Sequence, residues 1–555
     1  ILSEIEFDER RQIHRAIAEG ILATRDPAQE ALALTYHWAM VGDPAQEGYY
    51  AALAGERAYE NGSWSEAVTL LGRACTLRNA LGLTALQSAR LLRLQADAWY
   101  RQGNLPEARR CLNEAAAVLQ WPMPTKRSTQ MRTLVRQLGR QVRHRVVITP
   151  RRQTAAREWM LETHRISLLE AEIAFLSNET IPMLVHGVGA LNQAESAGIS
   201  PELAKASANM CYAIGNIGLH LPARIYKRQA RRVAQQVGDP AVEDFALRRT
   251  SLYDIGLGRW PEAETALEQA LKLAESIGDL QSREESLDFL ASLLYYRGEY
   301  DRSHSLFRSV YQSAVRTNSL LHQSWGLLGQ GQNALRLGGL DDAARLLQNA
   351  INLLEDGRVN DIVTLIQAYG LLAVTELYRG RGDAGGILAK MAFDRVETSD
   401  ATGFALLEGY AGAAEVYLTA LEDERDNAAL LTQATASVRH LQALGKTTPI
   451  AQPRALLYSG WLALLKGESA AQRKIRTGLQ QAVRLQMPFE QAFAHYHLGR
   501  SLPIGDTLRV QHLGQACAIF TRLGAVHHLA QARQALDAGI DEDTAGFSSI
   551  ENPLE

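Results

Sequence analysis

Small and large apolar residues recur along the chain with a period of about 40 residues, which is in the range of repeat architectures. Glycine introduces six similar phrases, at Gly62, Gly103, Gly218, Gly258, Gly298 and Gly338. The last four of these glycines are evenly spaced, and one further step of the same length back from Gly218 reaches Asn178. Asn, like Gly, tolerates a left-handed backbone conformation. Each of these positions therefore predicts a tight turn between two elements.

At four further positions, counted from the turn residue, the side chain has a similar size from one repeat to the next, and each such set of residues is called a column here. The side chain is small seven residues before the turn and five and twelve residues after it, and it is large nine residues after it. The small columns are Gly55, Ala96, Cys211, Ser251, Ala291 and Gly331, then Ala67, Ala108, Ala223, Ala263, Ser303 and Ala343, then Ala74, Ala115, Ala230, Ala270, Val310 and Ala350. The large column is Leu71, Leu112, Leu267, Phe307 and Leu347, with Lys227 as its exception.

This arrangement of small and large residues predicts pairs of antiparallel helices that approach closely where the side chains are small. It resembles the tetratricopeptide (TPR) pattern, whose repeat is about 34 residues, so each helix here is about one turn longer. Weaker units follow near Gly382, Glu422, Gly467 and Gly505. We therefore predict an all-α fold, a right-handed TPR-like α-solenoid superhelix of roughly 11–12 helix pairs.

A basic segment interrupts the repeats. Ten Lys and Arg residues and no acid lie between Lys126 and Arg157. Leu134, Leu138, Val142 and Val146 recur there every four residues, which predicts an amphipathic helix with a basic outer face. The predicted basic patch is Lys126, Arg127, Arg132, Arg136, Arg140, Arg143 and Arg145. It is either a contact for an anionic partner, a nucleic acid or a domain of the same protein, or a solvated face that pairs with acids elsewhere in the array.

Composition agrees with a solenoid and narrows the class of protein. The 555 residues are too many for one compact core. With a net charge of −3, the chain as a whole lacks the positive electrostatic potential that is typical of nucleic-acid-binding proteins. The four cysteines are widely separated, which predicts free thiols and a cytoplasmic location. No apolar run is long enough for a membrane span, so we expect no membrane partner.

No motif predicts catalysis or a metal site in this chain. The "GKTT" phrase at Gly445 looks like the end of a phosphate-binding loop, but the glycine that should stand five residues earlier is absent. His495 and His497 are two residues apart and His527 and His528 are adjacent, and neither spacing places two ligands on one helical face. We predict no catalytic residue and no metal in the chain itself.

The first helix of each pair should line a solvent-filled groove that binds a polar ligand or an extended peptide. Its groove positions lie at fixed distances before the turn glycine. Aromatic, charged and amide side chains at these positions would suit such a ligand. The predicted groove residues are Lys205, Tyr212, Asn216, Arg248, Glu285, Asp288, Ser292, Tyr295, Tyr296, Trp325, Gln332 and Arg336.

Several phrases resemble one bacterial family. "FDERRQIHRAIAEGIL" with "YHWAMVGDP", which carry His14 and Trp38, are similar to the junction that follows the winged helix in STAND-type ATPases. "GLGRWPEAETALEQALKLAESIGD", "LEGYAGAAEVYL", "QPRALLYSGWLALLKG" and "MPFEQAFAHYHLGRSL" resemble the TPR region of the STAND/AAA-type ATPases that carry an N-terminal class III adenylate/guanylate cyclase domain. The basic segment also resembles an Arg- and Leu-rich insert of that subgroup.

The resemblance implies a maltose-regulator-like TPR sensor that binds a protein or small-molecule effector. That sensor would control an ATPase with cyclase output, which would be encoded upstream and would contact the TPR region within the same protein. ATP and Mg would then belong to those upstream domains, and no cofactor would belong to this chain. Two alternatives remain open at this stage. One is a free-standing TPR adaptor, and the other is the sensor of a STAND transcription factor or kinase.

The patterns divide the chain into five predicted segments. Residues 1–45 would be junction helices that follow a missing ATPase and winged-helix part, and 46–120 the first TPR-like units. Residues 121–160 would be the basic insert, 161–540 the main superhelix, and 541–555 an acidic flexible tail without helical periodicity. Because the chain starts at Ile1 in the middle of this pattern, we expect it to be part of a longer protein.

Overall fold

The computed structural model of the protein describes residues 7–102, 104–146, 154–177, 179–317, 319–356, 361–397 and 403–547. Across these ranges the chain forms 26 α-helices and a short 3-10 helix at Pro449–Ala451, and no strand. It divides into two compact units, whose boundary falls between Ala206 and Ser207 inside α10. The predicted all-α solenoid of consecutive helix pairs is therefore confirmed.

Unit 1 contains α1 to α9 and the start of α10. Their bounds are α1 Phe7–Thr24, α2 Ala31–Val41, α3 Pro44–Glu60, α4 Trp64–Thr76, α5 Ala85–Arg101, α6 Leu105–Val118, α7 Arg127–Val146, α8 Thr154–Leu176, α9 Thr180–Ala197 and α10 Pro201–Asn216.

Unit 2 contains the end of α10 and all later helices. Their bounds are α11 His220–Val237, α12 Pro240–Gly256, α13 Trp260–Ile277, α14 Leu280–Tyr296, α15 Tyr300–Arg316, α16 Leu320–Leu337, α17 Leu340–Glu355, α18 Ile362–Tyr378, α19 Gly382–Glu397, α20 Leu406–Asp423, α21 Ala428–Thr447, α22 Gln452–Leu465, α23 Ala471–Arg484, α24 Pro488–Arg500, α25 Thr507–Leu523 and α26 Val526–Phe547.

The turns recur at half the predicted period. Glycines with positive φ are evenly spaced at Gly42, Gly62 and Gly82 and again at Gly198, Gly218, Gly238, Gly258, Gly278 and Gly298. Every second one ends the first helix of a pair, and the others end the second helix. The connection Gly238-Asp239-Pro240 shows how the sequence achieves this. Gly238 closes α11 in the left-handed conformation, the Asp239 side chain accepts from the Ala241 N–H, and Pro240 starts α12.

The small columns lie at the helix crossings, as predicted. All six residues of the column five after the turn are fully buried. A Cβ added to Gly331 would come within 2.8 Å of the Leu347 side chain. The small residue seven positions before the turn therefore contacts the large residue nine positions after it in the same helix pair. Where Ser303 replaces alanine, its hydroxyl donates to the Ala291 carbonyl at 2.8 Å. Lys227, the exception in the large column, pairs with the buried carboxylate of Asp254.

The basic helix α7 is present, but the orientation predicted for it is wrong. Gln137 and Gln141 are buried against α9, whereas Leu138 and Val142, which were expected to pack inward, are exposed. Polar partners on α9 decide this orientation. The spacing of apolar residues within α7 carries no information about those partners. Of the predicted basic patch, Arg140 donates to the Ser196 hydroxyl at 2.7 Å. Exposed to solvent are Lys126, Arg127, Arg132, Arg136 and Arg143.

Within unit 2 the turns of the periodic pairs pack against the C-terminal helices. A Cβ on Gly258 would lie 2.8 Å from the Leu485 side chain, and one on Gly298 would lie 2.6 Å from the Leu523 side chain. The Trp260 indole donates to the Leu485 carbonyl at 2.6 Å. These glycines therefore serve a second purpose, because any side chain there would collide with helices some 225 residues further along the chain.

Some predicted features lie outside the described residues. These are the turn residues Gly103 and Asn178, the side chains of Arg145 and Val146, and residues 548–555 of the acidic tail. Helix α26 continues to Phe547, so residues 541–547 are helical where no helix was expected. Among the described helices, none combines the length and apolar character that crossing a membrane would need.

Candidate ligand-binding site

In unit 2 the first helices of successive pairs contact one another and form an inner wall, but part of this wall is sealed from water. Arg248, Tyr295, Tyr296, Gln332 and Arg336 are buried. The expectation that these five residues line a solvent-filled groove is therefore wrong. The reason is tertiary, because later parts of the chain pack onto the inner face.

Arg336 shows what fills the expected groove. Its guanidinium donates to the Glu408 carboxylate of α20 at 2.7 Å and lies over the Phe489 ring of α24, with 3.9 Å to the ring centroid. Both members of this ion pair are buried. Tyr296 contacts Phe404, which lies just before α20. The polar inner face has therefore become part of the core.

The outer part of the predicted groove is half-buried. Glu285 pairs with the buried Arg248, and the Trp325 indole donates to Asp361 at 2.8 Å. Asp288 lies among these groups, and Ser292 is also half-buried. Burial, with the negative charges of Glu285 and Asp361 nearby, raises the pKa of Asp288 to about 8.

The three predicted groove residues of α10 divide between the two units. Lys205 is exposed on the unit 1 side of the boundary. Tyr212 and Asn216 belong to unit 2, where both are half-buried. A Cβ on Gly403 would come within 2.8 Å of the Tyr212 hydroxyl, so the segment before α20 covers this part of the inner wall.

A cavity of about 620 Å³ opens further along the inner wall of unit 2. Side chains from α18, α20, α22, α24 and α26 line it, together with residues at the ends of α24 and α25. A volume of this size lies within the range of about 300–1,000 Å³ that is usual for small-molecule sites.

Aromatic rings form much of the cavity lining. The Trp461 ring and the His497 ring have centroids 4.4 Å apart, and the Phe493 ring lies 4.8 Å from that of His497. On the α26 side, the imidazole of His527 stacks on the Tyr378 ring, with centroids 4.2 Å apart and an interplanar angle of 25°. The cavity therefore offers flat surfaces from several different helices.

The charged groups that line the cavity all have hydrogen-bond partners, and Arg509 donates to the backbone carbonyls of Gly499, Leu502 and Ala535. The Glu422 carboxylate accepts from the Trp461 indole at 2.7 Å and from the Arg500 guanidinium at 3.0 Å. Glu415 accepts from the Tyr458 hydroxyl at 2.5 Å and also from the Tyr378 hydroxyl. Because each carboxylate already has two donors, neither needs a cation from a ligand.

Two imidazoles at the cavity keep a nitrogen without a partner. The Nε2 atoms of His497 and His527 are buried, and no described protein group bonds to them. Burial, with Arg500 and Arg454 nearby, lowers the pKa of His497 well below its ordinary value. Burial also lowers the pKa of His527. Both rings are therefore neutral at pH 7.

None of the cavity residues was among the groove residues predicted from the sequence. A local signal was present, since Phe493 and His497 are one helical turn apart in "FEQAFAHYHLGR" and fall on one face. The spacing of the doublets His495/His497 and His527/His528 argues against a metal site and does not indicate a cavity. Across the described residues, no group of three or more His, Cys, Asp or Glu side chains is placed to hold a metal ion.

Comparison with known proteins identifies similar folds only. No protein-family model matches the chain, and no curated protein matches it. The chain is similar to a Rap protein complexed with Competence and Sporulation Factor, at 12% identity over 78% of this chain and 99% of that one, with a TM-score of 0.44. It is similar to the apo form of RapI at 12% identity over 72% and 98%, with a TM-score of 0.42. At these levels neither likeness bears on what the chain binds.

Proposed function

We propose that the chain is a TPR-type sensor whose ligand occupies the cavity between α18, α20, α22, α24 and α26. The observation that carries this proposal is the cavity of about 620 Å³, whose lining brings the rings of Tyr378, Trp461, Phe493 and His527 together from four helices. A volume of this size with flat aromatic walls suits a small molecule.

The lining indicates the chemistry of the ligand. The lining carries two carboxylates, Glu415 and Glu422, and two guanidiniums, Arg500 and Arg509, so it has no net charge to attract an ion. The Tyr378, Trp461 and Phe493 rings favour a flat or ring-bearing group. We therefore propose a neutral small molecule that carries a ring and both hydrogen-bond donors and acceptors.

The position of the cavity explains how binding would be transmitted. Its walls come from four successive helix pairs and from α26, so a ligand there contacts five helices at once. A ligand that binds only this arrangement stabilises it, by about 2.7 kcal/mol at 100 times its Kd. Such a shift in population is what a regulatory domain supplies to the domain it controls.

Thermal unfolding of the chain with a panel of neutral ring-bearing probes tests the cavity. The panel contains adenosine, guanosine, N-acetyl-tryptophanamide and a neutral disaccharide. We expect at least one probe to raise the unfolding temperature of the unaltered protein. Thr419→Phe places a ring inside the cavity and should abolish the effect, whereas the exposed, matched change Thr432→Phe on α21 should not.

His497→Phe separates hydrogen bonding from shape. It keeps a ring of similar size in the aromatic cluster and removes both imidazole nitrogens, so it should weaken the effect of a probe that hydrogen-bonds to this residue and leave basal stability unchanged or higher. If no probe stabilises the protein, or if Thr419→Phe responds as Thr432→Phe does, then the cavity is not a site for this class of ligand.

For the output, we propose the parent that the sequence resemblance implies. In that arrangement the sensor controls a STAND ATPase, and a class III nucleotide cyclase makes cyclic AMP or GMP. The upstream domains, not this chain, would bind ATP and Mg. Reading the codons upstream of Ile1 tests this directly. A frame without a phosphate-binding loop and a cyclase domain would refute the parent assignment and would leave the cavity proposal intact.

A further inference from the structure

Helix α7 of unit 1 exposes an apolar stripe. Met131, Val135, Leu138 and Val142 are 44%, 66%, 50% and 66% exposed. At about 3.6 residues per turn these four residues lie on one face of the helix. Single exposed apolar residues are ordinary on protein surfaces, but a continuous row along three turns of one helix marks an interaction surface.

The orientation that exposes this stripe is fixed by hydrogen bonds on the opposite side of α7. Gln141 Nε2 donates to Asn192 Oδ1 at 2.9 Å and to Glu195 Oε2 at 2.8 Å. Asn192 Nδ2 donates to Gln137 Oε1 at 2.6 Å, and His144 Nδ1 lies 2.6 Å from Glu195 Oε2. Rolling α7 to bury its valines would leave these buried polar groups of α9 without partners, so the stripe cannot fold inward.

A row of arginines runs beside the apolar stripe. Arg132, Arg136 and Arg143 are exposed, about a third of a turn further round the helix. No acidic side chain of the described structure pairs with them. Around its circumference, α7 therefore presents a buried polar row, an apolar stripe and a basic row.

We propose that this exposed face of α7 binds an amphipathic helix of a partner protein, one whose apolar stripe is bordered by acidic residues. The apolar rows of the two helices would pack against each other, and the partner's carboxylates would reach the arginines. Arginine suits this task because its planar guanidinium binds a carboxylate through two parallel hydrogen bonds. This surface belongs to unit 1, and the proposal does not depend on the cavity of unit 2.

Charge and geometry disfavour other occupants. A second copy of α7 would bring arginine against arginine, since the basic segment contains no acid. A nucleic acid duplex would use the arginines but not Val135, Leu138 or Val142.

Fluorescence anisotropy with a designed peptide tests the proposal on the full chain. The probe is a labelled peptide of about five helical turns, with a Leu stripe bordered on one side by Glu, and the control peptide carries Lys at the Glu positions. We expect the Glu peptide to bind in the micromolar range, roughly 1–100 µM, and the Lys peptide to bind at least tenfold more weakly. Added salt should weaken binding of the Glu peptide.

Surface variants assign the binding to α7. Val135→Ser with Val142→Ser, and separately Arg132→Glu with Arg136→Glu, should each lower affinity for the Glu peptide about tenfold, while Val510→Ser, an exposed valine on α25, should not. The arginine variant should also gain affinity for the Lys peptide. All these side chains are exposed, so unfolding midpoints should stay unchanged.

Three outcomes overturn the proposal. One is the absence of measurable binding of the Glu peptide, and another is equal binding of the two peptides. The third is binding of anionic phosphatidylglycerol vesicles or of a short DNA duplex that is tighter than peptide binding and depends on the same α7 residues. That third result would assign the face to a membrane or to nucleic acid instead.

Discussion

Replacing Gly412 with alanine would force apart two helices that now touch backbone to backbone. Helices α18 and α20 cross at Gly370, Gly409 and Gly412. A Cβ on Gly412 would lie 2.1 Å from the Gly370 carbonyl oxygen, and a Cβ on Gly370 would lie 2.2 Å from the Gly409 carbonyl oxygen. Both atoms that would be struck belong to the backbone, so no side-chain rotation relieves the collision.

The size of the effect follows from this geometry. Ordinary contact begins at 3.4 Å, so α20 must move away from α18 by about 1.3 Å at the crossing. Overpacking of this kind usually costs about 1–3 kcal/mol. Alanine recovers up to about 1 kcal/mol through its higher helix propensity. We therefore expect Gly412→Ala to lower the free energy of unfolding by about 2 kcal/mol.

Urea unfolding followed by far-UV circular dichroism measures this change. Gly386→Ala is the matched control, because Gly386 lies inside α19 with no atom within 4 Å of an added Cβ. The control should raise the free energy of unfolding by about 0.5–1 kcal/mol through helix propensity alone. Equal unfolding slopes would show that the same cooperative unit is compared. If both variants shift the midpoint in the same direction, the backbone contact between α18 and α20 does not constrain the fold.

Two further changes test the buried polar groups of unit 2. Burial, with Glu285 and Asp361 nearby, raises the pKa of Asp288 to about 8. The folded protein therefore keeps a proton on Asp288 that the unfolded chain loses near pH 4. Because the folded state binds more protons, the free energy of unfolding should fall as pH rises from 4 to 8. Asp288→Asn removes this loss, and the variant should exceed the unaltered protein in unfolding free energy at pH 9, by up to about 5 kcal/mol, but not at pH 4. Equal differences at both pH values would contradict the assignment. Glu408→Gln leaves the Arg336 guanidinium buried without its counter-charge and should lower the free energy of unfolding in urea by about 3 kcal/mol. The double variant Arg336→Met with Glu408→Leu should recover most of that loss. A double variant as unstable as the single one would contradict this reasoning.

The local architecture could be predicted from the sequence because it depends on neighbouring residues. A regularly repeated glycine marked the turns, since only Gly adopts a positive φ without steric cost. Alanines in register with those glycines marked the helix crossings. Ala263 and Ala343 are fully buried where two helices of one pair touch. These contacts join residues of a single helix pair, so their pattern repeats in the chain itself.

The tertiary structure decided which faces stay accessible. In the sequence, the positions of Tyr295 and Arg336 match those that would line a groove, yet α20 and α24, from much later pairs, bury both residues. Leu138 has the spacing of a buried residue, yet polar partners on α9 hold α7 so that it faces solvent. The cavity at His497 exists only where five helices converge. Such contacts join distant parts of the chain, and the repeat pattern of a single helix pair does not determine which other helix pairs it will contact.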